Sequence, residues 1–221
     1  MPPKPSSQPV AILCDFDMTA ATTDVIDFIY DHFCGPECQE FRQRWREGLI
    51  STPQEIEGCF SSITISTDEL KAALNGIELD PAFADLVMWA RRKGFEFAIV
   101  SDGLEWYIQD ILARSGLQNI TVYSNQIHFS EAGMRFTYPW FDPKAPRSGT
   151  SKGKIIRSYQ ARPAEVVFIG DGLSDIEASH VADRVYAKDK LLAHCRRSDV
   201  PALEFTTLAD VLADLKKVYS D

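Results

Sequence analysis

Three apolar runs along this chain each stop at a carboxylate. Val-Ala-Ile-Leu-Cys runs into Asp15-Phe-Asp17, Phe-Glu-Phe-Ala-Ile-Val into Ser101-Asp102-Gly103, and Val-Val-Phe-Ile into Gly170-Asp171-Gly172. Short apolar runs of this kind read as strands of a parallel sheet buried on both faces. Between them the period changes to that of a helix. Val25, Ile26, Ile29, Tyr30 and Phe33 fall on one face, which predicts a helix over 23–33 that breaks at Gly35-Pro36. A polar helix over 37–47 carries Phe41 and Trp45 one turn apart. Thr52 as N-cap, Pro53 at the first position and Glu55 three residues after the cap open another helix. A short helix follows over 68–74, and Asp80-Pro81 opens one that runs to 92 and stops at Gly94.

The remaining pattern predicts a strand over 95–100, a helix over 104–114 and a strand over 120–123. Alternating residues at 127–129 and 134–138, around Glu131-Ala132-Gly133, read as a hairpin. A loop with Pro139, Pro143 and Pro146 leads to a helix over 153–159, a strand over 166–169, a helix over 174–180 and a strand over 184–187. A helix over 208–218 closes the chain.

Strand-helix alternation predicts right-handed βαβ units and a mainly parallel α/β sheet. One stretch interrupts it. Residues 20–80 are almost purely helical in pattern, more than one crossover needs. The expectation is a small helical lid over 20–80, inserted after the first strand into a core built from 1–19 and 81–221. Ligands bind outside the carboxyl ends of such strands, so the three acidic tips predict a crevice under that lid.

Composition narrows the class. The chain has 221 residues, 45% hydrophobic and 25% charged, as in an ordinary globular protein. A net charge of −9 argues against nucleic acid as a partner, and no apolar run is long enough for a membrane span. Residues 1–8 are rich in Pro and Ser and read as a loose lead-in, neither signal peptide nor anchor. The five cysteines, 14, 34, 38, 59 and 195, are odd in number and scattered, which suits a reducing, cytoplasmic setting. Cys34 and Cys38 can share a helix face, but with so few ligands nearby these cysteines read as plain thiols rather than a metal pair. The oligomeric expectation is a monomer or homodimer.

The strand tips carry the chemistry. Crowded carboxylates repel and resist joint ionisation. A hard divalent cation such as Mg²⁺, which takes oxygen ligands, removes that difficulty. Asp15 and Asp17 offer a nucleophile and a general acid/base for phosphoryl transfer. Ser101, Asp102 and Gly103 offer a hydroxyl and backbone N–H groups at a helix start, an anion seat. Lys152 supplies a cation for phosphate oxygens. Asp171 offers a metal carboxylate, and Asp175 a second acid one helical turn later. Singly, each motif is common turn or surface chemistry; their order, with an apolar strand before three of the four, makes the set specific.

That set resembles the haloacid dehalogenase superfamily of aspartyl-phosphate phosphatases, in its phosphoserine-phosphatase-like branch, over 10–187. Asp15, Asp17 and Thr19 match its first motif, Ser101 its second, Lys152 its third, and Gly170, Asp171 and Asp175 its fourth. The resemblance implies a Rossmann-like core and a small phosphorylated metabolite as substrate. It implies that Asp15 carries the phosphoryl group and that Asp17 protonates the leaving oxygen and then activates water. Mg²⁺ would be held by Asp15, the Asp17 backbone carbonyl and Asp171, with Asp175 in support. Asp24 falls where this branch carries a substrate-facing acid.

Residues 45–51 and 185–192, the latter ending near Cys195, look like the phosphatases of methionine salvage that act on 2-hydroxy-3-keto-5-methylthiopentenyl-1-phosphate. That compound is the first expectation for substrate, and phosphoserine the second. Met18, Asp102 and the stretch Pro146-Arg-Ser-Gly-Thr150 depart from the usual pattern. The four histidines, 32, 128, 180 and 194, lack ligand spacing, and the four tryptophans read as packing. Trp106 and Tyr107 are the aromatic candidates for substrate contact. Arg42, Arg44 and Arg46 read as a solvated face.

Overall fold

The computed structural model describes residues 9–220 apart from 64, 132 and 163. The expected lead-in over 1–8 and the turn residue Ala132 lie outside the described residues. Among the described residues, seven strands form one sheet in the order β4-β3-β2-β1-β5-β6-β7. β1 (Val10–Cys14) lies at its centre, between β2 (Glu96–Leu104) and β5 (Glu165–Gly170), parallel to both. β3 (Thr121–Ser130), β6 (Arg184–Ala187) and β7 (Leu203–Glu204) extend the parallel arrangement, and only β4 (Gly133–Thr137) runs antiparallel, as a hairpin with β3. Every residue of β1 is buried, which is why its sequence shows no alternation.

Helices cover both faces. α5 (Phe83–Arg92), α6 (Glu105–Arg114) and α10 (Leu208–Val218) pack on one side, with Ile12, Cys14, Ile99 and Ile169 turned towards them. α7 (Lys152–Gln160), α8 (Ile176–Ser179) and α9 (Asp189–Arg197) pack on the other, against Leu13, Ala98, Val100 and Phe168. Consecutive β1 residues thus serve opposite layers, as a pleated strand requires.

Between β1 and α5 the chain forms α1 (Val25–Phe33), α2 (Glu37–Arg46), α3 (Thr52–Phe60) and α4 (Thr67–Ala73). It leaves and returns through a two-stranded stalk. Ala21 pairs with Leu79, Asp80 N–H donates to Ala20 O at 2.8 Å, and Thr22 N–H donates to Glu78 O at 3.0 Å. α3 starts one residue earlier than its sequence suggests. Ser51 is the N-cap and Gln54 its reciprocal partner, because Thr52 gives its N–H to Pro146 O.

Three other expectations are corrected. Cys38 and Cys59 are joined as a disulfide with Cα atoms 4.3 Å apart, so they are not free thiols; packing of α2 on α3 brings together residues far apart in sequence. Arg42 is not solvated. It is buried and ion-paired with Asp27, at 2.9 Å, and with Asp31, both on α1. Ser101-Asp102-Gly103 is not a turn at a helix start but the continuation of β2, with a register shift between Val100 and Leu104. α9 and β7 fall outside the elements that the sequence pattern predicts. α9 hides only Leu191, Leu192 and Cys195 under a charged surface, and β7 is two exposed residues.

Candidate active site

Asp15 sits one step beyond β1. Its N–H still donates to Ile169 O at 2.9 Å, so the β5 pairing fixes where its side chain leaves the sheet. The chain then makes a single wide turn over Phe16–Ala20, in which Asp17 is extended and Met18 takes φ 59°. A left-handed conformation at a residue other than glycine costs on the order of 1 kcal/mol. The turn splays the two acids towards different partners. Asp15 Oδ1 receives Lys152 Nζ at 2.6 Å. Asp17 Oδ1 accepts from Val25 N–H at 2.8 Å, and its Oδ2 accepts from the Tyr107 hydroxyl at 3.1 Å and Ser101 Oγ at 3.4 Å.

Burial, and then the charge of Asp24, lift the Asp17 carboxyl to about 7, against the pull of the Val25 and Tyr107 bonds. A carboxyl poised there can give up a proton near neutral pH and take one back.

The β5 tip completes the cluster. Asp175 is fully buried; its Oδ2 accepts the Asp171 and Gly172 N–H groups, each at 2.9 Å, while Oδ1 takes Lys152 Nζ at 2.5 Å. Asp171 Oδ1 accepts from Thr19 Oγ1 at 2.8 Å. Glycine is required at 170, because a Cβ there would come within 2.4 Å of Asp175 Oδ2. Lys152, at the start of α7, is itself 1% exposed. Burial pulls its pKa down, but Asp15, Asp175 and Asp102 outweigh that and hold it above the usual lysine range.

Asp15, Asp171 and Asp175 each offer an oxygen, and these lie within 4.8 Å of one another. Burial first, then the charge of Asp175, raises both Asp15 and Asp171 above the usual carboxylate range. Three carboxylates against the single Lys152 ammonium leave two negative charges when all are ionised, which a divalent cation balances. An all-oxygen donor set suits Mg²⁺ rather than a soft metal. The Asp17 side chain faces Tyr107 and Val25 instead, so its part in holding a cation would fall to its backbone carbonyl.

The other expected site residues divide. Ser101 Oγ lies between Asp17 and the Gly103 N–H, which donates to it at 2.9 Å, and so stays beside the acidic cluster. Gly103 must lack a side chain, since a Cβ would sit 1.9 Å from the Tyr107 hydroxyl. Asp102 would contribute to an anion seat only through its backbone N–H, because its side chain points elsewhere. Its carboxylate faces the loop before Lys152, bonding Ser148 Oγ and Thr150 N–H. Asp24 caps α1, accepting the Asp27 N–H at 3.0 Å; burial and then Asp27 raise it to about 6.

Tyr107 meets the acid Asp17 directly, and the glycine four residues before it was the available signal. Trp106 packs on Phe129, ring centroids 5.2 Å apart. His180 and His194 face each other with Nε2 atoms 3.3 Å apart. Among the described residues the acidic trio is the one group of three or more potential metal ligands, and no helix is long and apolar enough to cross a membrane.

Comparison with known proteins agrees with this geometry. The model of the haloacid dehalogenase-like hydrolase family matches residues 12–180. A protein of Brevibacillus brevis named 2-hydroxy-3-keto-5-methylthiopentenyl-1-phosphate phosphatase is 28% identical, over 97% of this chain and 99% of its own. One of the same name from Bacillus mycoides is 26% identical, over 94% and 96%. A solved phosphoserine phosphatase, described as a phospho-aspartyl intermediate analogue, superposes with a TM-score of 0.70 at 19% identity, over 94% of this chain and 99% of its own. The chain belongs to the haloacid dehalogenase-like hydrolase family.

Proposed function

We propose that this enzyme, a phosphatase of its family, hydrolyses a small phosphorylated keto or enol metabolite through a phosphoryl group carried on Asp15, with Mg²⁺ as cofactor. The observation that carries the reading is the division of labour between two acids on one turn. Asp15 is paired with the Lys152 ammonium, whereas Asp17 makes no ion pair among the described residues and is lifted to about 7. In the first step an Asp15 carboxylate oxygen attacks phosphorus, and Asp17 gives its proton to the departing oxygen. In the second, Asp17, now a carboxylate, takes a proton from a water that attacks the same phosphorus; phosphate leaves and Asp15 is regenerated. Ser101 Oγ and the backbone N–H groups beside it would bind phosphate oxygens. Lys152 stays protonated and offsets the charge of Asp15 and of the bound phosphate. A bound Mg²⁺ would supply the positive charge that keeps Asp15 ionised and steadies the phosphate oxygens.

Chelation with EDTA is therefore expected to abolish phosphate release, Mg²⁺ to restore it, and Ca²⁺, with its looser and larger coordination, to inhibit. Full turnover in metal-stripped enzyme would refute the cofactor.

Substrate choice is assigned to residues 20–80, acting as a lid over the core of 1–19 and 81–221. Supporting this, α1 begins at the site itself, where Asp17 caps the Val25 N–H and Asp24 caps the helix. The curated relatives make the methionine-salvage phosphate the first choice of substrate. Asp24→Asn keeps a good N-cap but removes the charge that faces the leaving group. It is expected to lower kcat/KM for that substrate about ten- to a hundredfold, as for one charged hydrogen bond, and to cost an aryl phosphate only the smaller loss that follows from a lower Asp17 pKa. Steady-state assays on both compounds test this, and equal losses on both would move Asp24 into the general catalytic apparatus.

A further inference from the structure

Asp102 does its bonding away from the phosphate seat. Its Oδ1 accepts from Thr150 N–H at 2.7 Å and from Ser148 Oγ at 3.0 Å, with Oδ2 3.2 Å from the same hydroxyl. Its carbonyl accepts from Asn125 Nδ2 at 2.6 Å, and Asn125 Oδ1 takes the Thr150 hydroxyl at 3.4 Å. Thr150, Ser151 and Lys152 are all buried against this anchor. The same loop reaches the helical insert at its other end. Pro146 O accepts from Thr52 N–H at 2.8 Å, the Arg147 guanidinium lies 4.4 Å from the Trp45 ring centre, and Arg147 Nη1 donates to Arg46 O at 3.3 Å. Residues 142–151 thus form a strap with the insert at one end, Asp102 near its close, and Lys152 immediately beyond.

We propose that Asp102 is a positioning residue: by anchoring the strap it sets Lys152 between Asp15 and Asp175 and fixes the strap's seat on the insert. The kinetic half of this inference rests on the role given to Lys152 above; the structural half does not. A direct part for its side chain in phosphate binding is opposed by charge, since a carboxylate repels phosphate, and by the two donors its oxygens already hold. Placement of Lys152 has consequences for rate because errors of an ångström in such a site cost about a hundredfold.

Asparagine separates anchoring from charge. Its oxygen can accept the Thr150 N–H, and its amide can donate to the Ser148 hydroxyl.

The test compares full-length wild type, Asp102→Ala, Asp102→Asn and Ser148→Ala by kinetics on para-nitrophenyl phosphate and by hydrogen exchange over 45–56 and 142–151. Asp102→Ala is expected to lower kcat about ten- to a hundredfold with KM changed less than about threefold, and to speed exchange in both segments. Ser148→Ala should move both readouts the same way by less, and it carries the test if the alanine variant at 102 does not fold. Asp102→Asn should keep most of kcat and the protection. Unchanged exchange in Asp102→Ala, an unchanged kcat, or an asparagine variant as impaired as the alanine variant would each overturn the proposal. Wild type that releases no phosphate, with the exchange pattern as expected, would refute the proposed activity and leave the anchor standing.

Discussion

Asp15→Asn is expected to remove phosphate release by about a thousandfold or more while leaving the fold in place. The amide matches the carboxylate in size and can still meet Lys152 through its oxygen. It has no oxygen able to form an acyl phosphate, so the reaction loses its covalent route rather than a fraction of its positioning. The substitution also takes one negative charge from a buried cluster in which Asp15 and Asp171 are both raised above their usual range. Folding stability should therefore hold or rise, and Tm against wild type checks that half. Wild-type rates in a clean preparation, free of the host's own phosphatases, would take the nucleophile away from Asp15.

Lys152→Met should be the most damaging change to both stability and activity. Methionine fills much of the volume but leaves Asp15 and Asp175 without their shared ammonium, to which they lie at 2.6 and 2.5 Å. Removing one partner of a buried ion pair costs roughly 3–5 kcal/mol. Activity should fall by about a thousandfold or more, because the nucleophile then sits among carboxylates with no fixed cation. Mg²⁺ should raise the variant's Tm by more than it raises that of wild type, since the cation takes over charge that Lys152 had balanced. Lys152→Arg should not rescue, as the planar guanidinium cannot occupy the space of a compact ammonium between two oxygens. Calorimetry with and without Mg²⁺ measures these effects. A Lys152→Met protein with wild-type Tm would show that the lysine is not what holds the cluster together.

Much of this was legible in the chain because the same residues carry local and long-range information. The apolar runs before Asp15 and Asp171 specify buried strands, and their ends bring the carboxylates together. The final helix over 208–218 appears where its apolar spacing puts it. What escaped is what packing decides. β2 continues through Asp102 because Asn125, from the neighbouring strand, holds the Asp102 carbonyl. A Ser-Asp-Gly triplet considered alone looks like a turn. Cys38 and Cys59 meet because α2 lies on α3, and Arg42 is buried because α1 offers two acids to it; nothing near any of these residues in sequence announces the partner. The direction of the Asp102 side chain is likewise set by a loop more than forty positions away.

Phosphorus passes through Asp15 in the proposed reaction. Acid-quenching the enzyme during turnover of a phosphorylated substrate, reducing with borohydride and mapping the digest by mass spectrometry reads this directly, because an acyl phosphate is reduced to the alcohol while a free carboxylate is not. Homoserine is expected at position 15, dependent on substrate and on Mg²⁺ and absent from Asp15→Asn. Phosphate release at full rate with Asp15 unreduced, or with the label on another residue, would contradict it.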